Sequence, residues 1–160
     1  DDNLEGESYS IGNQKKLLTK VAKEKGYIQD ATFTGMKHRM EQENMQRSEK
    51  VARGEAVYGL KEYTLDLYQE YELSMIEEAY ILDETNEGMG LTEEEIEAYY
   101  NTRDWIVGED ARKADLSEAR AAVIDEMRRN RYKELTEQKA AVAEVDGDMD
   151  QLSQFTLKQL

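Results

Sequence analysis

Cysteine and proline are absent from this 160-residue chain, and histidine occurs once. Without cysteine there is no disulfide framework and no thiolate metal site, and bridges say nothing of the redox compartment. Without proline, where average usage of about 5% would supply about eight, helices can run long and unkinked, and no X-Pro bond limits the chain's own folding. His38 lies between Lys37 and Arg39. No histidine pair for zinc can form, and no adjacent carboxylate orients the ring as a base, so it reads as a surface residue. Positive charge is scarce as well: 21 bases against 36 carboxylates leave a net charge of -15, a surface that repels phosphate backbones and anionic membranes. No apolar run approaches the roughly 20 residues that span a bilayer. Gly-rich phosphate loops, G-x-S-x-G and H-E-x-x-H are also missing, which leaves carboxylates alone for any catalysis and nothing to select a pair of them.

What remains is helical periodicity. The length suits one ordinary core, burying roughly two-thirds of the unfolded surface. A basic helix is expected over 13–26, capped by Asn13 and stopped by Gly26, with Leu17, Leu18, Val21 and Ala22 as a narrow stripe. A second runs from about Thr32 to Arg53, with Phe33, Met36 and Met40 on one face and Gly54 just past its end; Gly35 should weaken its first turn by about 1 kcal/mol relative to alanine. Gly54 and Gly59 bracket the β-favouring pair Val57 and Tyr58 in a turn or extended connector. The third helix, about Thr64 to Leu82, carries Tyr68, Tyr71, Met75, Ala79 and Leu82 at spacings of three and four and is expected to be the centre of the core.

The next boundary is signalled several times over. In LTEEEIEAYYNTRDW (91–105), Thr92 and Glu95 have capping-box spacing, Leu91 and Ile96 occupy staple positions, and Glu93 and Glu94 meet the positive end of the helix dipole. After a short polar connector, Asp115 and Glu118 repeat the box and open a return helix to about 139, whose Leu116, Ala119, Val123, Met127 and Leu135 face inward. Its Arg120, Arg128, Arg129, Arg131 and Lys133 could answer the acidic third and fourth helices. AVAEV (141–145) alternates like a short strand, and 146–160 reads as an acidic flexible tail.

Two features have more than one reading. Between Lys61 and Arg103 there are 13 carboxylates and no base, either a solvated helix exterior or a cation site. Within it Asp83, Thr85, Glu87, Gly88 and Glu94 fall on the EF-hand frame, with threonine at a position that calls for an acid or amide. Asp146, Asp148 and Asp150 alternate similarly but lack the glycine turn. Seven of the ten tyrosines lie between 58 and 100, and Met36, Met40 and Met45 cluster on the second helix. These are either ordinary core or a groove for varied peptides, since methionine adapts its shape and tyrosine joins apolar area to a polar tip.

The segments ENMQRSEKVARGEAVYGLKEYTLDLYQEY, GLTEEEIEAYYNTRDW and LSEARAAVIDEMRRNRYKELTEQKAAVAEV, in that order, resemble the chaperone part of SurA/PrsA-type foldases over about Phe33 to Val145. The resemblance implies an all-α, SurA N-terminal-like domain over 32–145, after an N-terminal segment 1–31, with a long return helix and at most a short strand pair. It also implies export and a lipid anchor on a cysteine upstream of Asp1; an exported form is expected to have lost its signal, because DDNLEGESYS is not one. In that family a parvulin prolyl-isomerase domain follows the T-x-E-E-[IL]-x-x-[YF]-Y motif, here Thr92 to Tyr100. Only about a dozen residues, Arg103 to Asp115, separate that helix from the return helix, and the parvulin histidine signature is missing. The expectation is therefore a chaperone-like module without isomerase activity or cofactor. It would bind unfolded or extended polypeptides through Phe33, Met36, Met40, Tyr58, Tyr68, Tyr71 and Met75. A helix-exchanged homodimer acting as an adaptor and a calcium-binding protein are the alternatives.

Overall fold

The computed structural model describes the backbone of residues 14–158 and the side chains of residues 14–142; Asn13 lies outside them. The described chain is mostly helical: α1 (14–24), α2 (Phe33–Ala52), α3 (Leu65–Leu82), α4 (Glu93–Tyr100) and α5 (Leu116–Lys158), with one antiparallel pair, β1 (Ile106–Val107) and β2 (Arg112–Lys113). The all-α expectation with a short strand pair and a long C-terminal helix describes this architecture. The chain divides into two compact units, Asp1–Ile76 and Glu77–Leu160, so that the boundary falls inside α3.

In the first unit, α1 ends as its glycine requires. Gly26 takes φ 79°, and the Tyr27 amide closes onto Ala22 O at 2.9 Å. Ala22 and Ile28 then bury against Ile76 of α3, with Tyr27, Ala31 and Leu73 around them. The basic helix is thus held by apolar burial. Thr32 caps α2 through its hydroxyl, which accepts from the Gly35 amide at 3.1 Å. The Thr32 hydroxyl first, and then its amide, which donates to Asp30 Oδ1 at 2.8 Å, hold the Asp30 carboxyl below its ordinary pKa and keep that side chain on the first turn. A Cβ on Gly35 would meet Asp30 Cγ at 2.5 Å. Gly35 is therefore a packing requirement, and the sequence reading of it as a helix weakness is corrected. Met75, expected in the core, is exposed because Ile76 takes the inward position beside it.

In the second unit both capping boxes form. Thr92 and Glu95 exchange bonds at 3.2 Å, and Asp115 and Glu118 do so at 3.1 and 3.0 Å. Ile96, Ala119, Val123 and Met127 build the core with Trp105 and Ala114, and Leu91, Tyr99 and Tyr100 pack against it. Trp105 is drawn in from the connector, its indole N–H donating to Tyr100 O at 3.1 Å while Tyr100 Oη donates to Ala114 O at 2.7 Å. The connector is a hairpin rather than a loose turn; Gly108 and Ala111 both take positive φ at its tip. Residues 141–145 belong to α5 rather than a strand, and the backbone of 146–158 continues the same helix. The short alternation carries no turn that would fold it back, so the helix simply propagates.

Two tests follow from these local structures. Gly35→Ala should lower stability by about 1–3 kcal/mol, the cost of forcing a neighbour to move, where relief of an intrinsic glycine penalty would raise it; chemical denaturation decides between the signs. The Thr92 amide and then Arg131 hold the Glu95 carboxyl below its ordinary value of 4.5. A depressed folded pKa contributes stability above pH 4.5 that is lost as the pH falls through the folded value. Glu95→Gln keeps an acceptor for the box and removes that titration, so its melting temperature should fall less steeply below pH 4.5 than that of the native chain.

Candidate polypeptide-binding surface

The residues singled out for peptide contact all lie in the first unit, and the fold sorts them by depth. Tyr68 is buried at 6% exposure, its hydroxyl pushed up to about 12 first by that burial and then by Glu72. Tyr71 is half-buried, stacked on Tyr63 at 4.9 Å between ring centres. Met36 and Met40 are half-buried on α2. Phe33 (64% exposed), Met75 (53%) and Tyr58 (88%) are open to solvent. The set thus separates into scaffold, led by Tyr68, and display, led by Tyr58.

The display is held in place by polar side chains. Asn44 and Arg47 project from the same face of α2 as Met36 and Met40. Asn44 pairs with the Tyr63 backbone in both directions, donating to its carbonyl at 3.0 Å and accepting from its amide at 2.7 Å. Arg47 donates to Tyr58 O at 2.6 Å and Leu60 O at 2.7 Å, and pairs with Glu43 at 2.8 Å. Its guanidinium also lies over the Tyr63 ring at 4.8 Å and the Tyr71 ring at 5.6 Å. The connector 54–63 is therefore fixed from below at three residues, while Tyr58 and Leu60 point their side chains into solvent. Leu67 joins them, exposed one turn before Tyr71 on α3. At spacings of four and three after Met40, Asn44 and Arg47 continue the apolar face of α2 as polar residues. Their role was partly signalled, because a single Asn and Arg at core spacing need polar partners when buried.

Leaving these apolar side chains in water forgoes about 1.5–3 kcal/mol for each that a partner would fully bury. A connector held rigid while presenting them loses little further entropy on binding.

The loop 83–91 of the second unit is organised differently from a calcium site. Arg128 Nε donates to Met89 O at 3.1 Å, and Arg131 donates to Gly88 O at 3.2 Å and Gly90 O at 3.4 Å. The Met89 carbonyl is the position-seven ligand of the EF-hand frame; here a guanidinium occupies it. Among the described residues no three His, Cys, Asp or Glu side chains are grouped to hold a metal. The acidic stretch is instead met by bases of α5: Arg120 with Glu93, Arg128 with Glu84, Arg129 with Glu77 and Glu78, Arg131 with Glu95, and Lys139 with Glu87. Arg120, Arg129 and Arg131 meet α3 and α4 as expected of the return helix, whereas Arg128 and Lys139 meet acids of the intervening loop and Lys133 enters no ion pair among the described residues. No described helix is long and apolar enough to cross a membrane.

With this geometry in view, one relationship bears on function. Over 136 residues, 84% of its length, the chain is 37% identical to a protein of Bifidobacterium longum subsp. longum named "Chaperone for lacto-N-biosidase". The resemblance is to a chaperone. The chain spans about half (49%) of that relative's length. No family model and no solved structure matches the chain. The relationship supports a chaperone-like role.

Arg47→Met should destabilise the unit by about 2 kcal/mol, because charge-assisted bonds to two carbonyls are lost together. Arg47→Lys should restore only part of this, since a single ammonium lacks the planar fork. Hydrogen exchange should show faster amide exchange confined first to 54–63.

Proposed function

We propose that this chain is the polypeptide-holding part of an ATP-independent chaperone acting outside the cytoplasm on unfolded or extended segments of a glycosidase client, without prolyl-isomerase activity. The observation that carries the reading is the 37% identity to a chaperone named for lacto-N-biosidase. The structure adds a surface suited to it: exposed Tyr58, Leu60, Leu67, Met75 and Phe33 on a unit whose connector is fixed from beneath by Asn44 and Arg47. The region after α4, where a parvulin-type foldase carries its catalytic domain, holds here the hairpin β1–β2 and leads directly into α5. The SurA/PrsA-type pattern also motivates export, with anchoring by lipid outside this sequence.

The competing reading, an adaptor homodimer that exchanges α5, has one observation in its favour. The helix runs 43 residues, about 64 Å at 1.5 Å per residue. It predicts a sedimentation coefficient that rises with concentration and no affinity for unfolded chains.

The deciding experiment follows light scattering as a chemically unfolded lacto-N-biosidase-type glycosidase is diluted into refolding buffer with equimolar chain. The native chain should suppress aggregation several-fold. A Tyr58→Ser, Leu67→Ser, Met75→Ser variant, altered only at exposed positions, should keep its melting temperature and lose most of the protection. Protection that is absent from the native chain, or undiminished in the variant, sinks the reading.

A further inference from the structure

The chemistry of the exposed apolar face also restricts which segments it can take, an inference that rests on the proposed chaperone reading and goes beyond it. Leu67, Tyr71 and Met75 follow one another at four-residue intervals along α3, which places them in one row. Asp66 and Glu70 stand one position before Leu67 and Tyr71 and form the adjoining row. Glu62 precedes Tyr63 in the clamped connector. All three carboxylates are exposed, and among the described residues none of them enters an ion pair, in contrast to Glu43 and Glu72 of the same unit, which are matched by Arg47 and Arg39. Of the connector's bases, Arg53 is taken by Glu55 at 2.7 Å, leaving Lys61 against the three free acids. Carboxylates without partners beside an uncovered apolar row are a surface of unspent negative potential.

Tyr58 supplies a second, independent observation. Its ring is 88% exposed, and an aromatic face in solvent attracts ammonium and guanidinium groups through its quadrupole while offering nothing comparable to a carboxylate. Leucine and methionine of the α3 row accept any apolar side chain, so charge is left as the discriminating property.

We infer that the client segments held by this face are apolar stretches interspersed with lysine or arginine, and that acidic stretches of the same hydrophobicity are refused. Apolar burial supplies the affinity. Glu62, Asp66 and Glu70, with the ring of Tyr58, supply the selection. Three exposed ion pairs of ordinary surface strength multiply to roughly tenfold in affinity, and the preference should shrink as salt shortens the Debye length to about 3 Å at 1 M.

The test uses the full chain and three labelled peptides of one length with identical leucine and phenylalanine positions, the intervening residues being lysine, serine or glutamate, titrated by fluorescence anisotropy at low and high salt. The lysine peptide should bind roughly tenfold tighter than the glutamate peptide at low salt, with serine between and the gap largely closed at high salt. A Glu62→Gln, Asp66→Asn, Glu70→Gln variant should bind the serine peptide as the native chain does and lose most of the lysine preference. A control with the same change of net charge, Glu109→Gln, Glu134→Gln, Glu137→Gln, alters exposed acids of the other unit and should keep it. Equal binding of lysine and glutamate peptides overturns the inference while leaving the chaperone reading intact. So does a preference that the control abolishes as fully as the first variant, which would trace it to overall charge. If none of the three peptides binds, the chaperone reading falls and this inference falls with it.

Discussion

The fold depends on arginine forks that take backbone carbonyls. In each unit a connector with no strand partner of its own is fixed by a guanidinium from a neighbouring helix: Arg47 on Tyr58 O and Leu60 O in the first, Arg128 and Arg131 on the carbonyls of Met89, Gly88 and Gly90 in the second. A chain without cysteine or proline has neither covalent cross-links nor preset backbone angles to hold such loops. Guanidinium groups substitute for both, because one planar fork bonds two acceptors at fixed geometry and is charged at any relevant pH. Remove the forks and the connectors become ordinary mobile loops, with Tyr58 and Leu60 no longer held at a defined place.

The same economy explains how so acidic a protein folds. Thirty-six carboxylates against 21 bases repel one another, and surface pairs are individually weak. The second unit places most of its bases on one helix, α5, where five of them meet acids of α3, α4 and the intervening loop. In the first unit Arg39 and Arg47 turn inward, onto Glu72, Glu43 and loop carbonyls, and Glu62, Asp66 and Glu70 stay open. Glu62, Asp66 and Glu70 thus stand open in the same unit as the exposed side chains of Leu67 and Met75.

Helix content and most helix boundaries were legible in the residues. Gly26, Gly54, Thr32 and the two boxes at Thr92 and Asp115 signal their ends by local chemistry, and local bonds formed there. The signals failed where the decision was not local. AVAEV alternates, yet five residues of alternation without a partner strand cannot compete with a helix already propagating from Leu116. Trp105 sits among polar neighbours in sequence, and only the closure of the hairpin brings it against Ile96 and Val123. Met75 and Ile76 are equally apolar neighbours on a broad stripe, and which of them faces inward depends on where α1 docks.

The candidate surface divides in the same way. The sequence by itself determined that the protein would be helical and acidic, rich in tyrosine and methionine between 33 and 80, and without the residues for zinc, thiol or phosphate chemistry, because composition, period and capping act within a few residues. Tertiary structure alone decided that Tyr68 is scaffold, that Tyr58 and Met75 are display, and that Arg47 rather than any tyrosine organises the face. Periodicity names a face of a helix, but burial depends on which other segment covers it, and that is settled only by contacts between residues far apart in the chain.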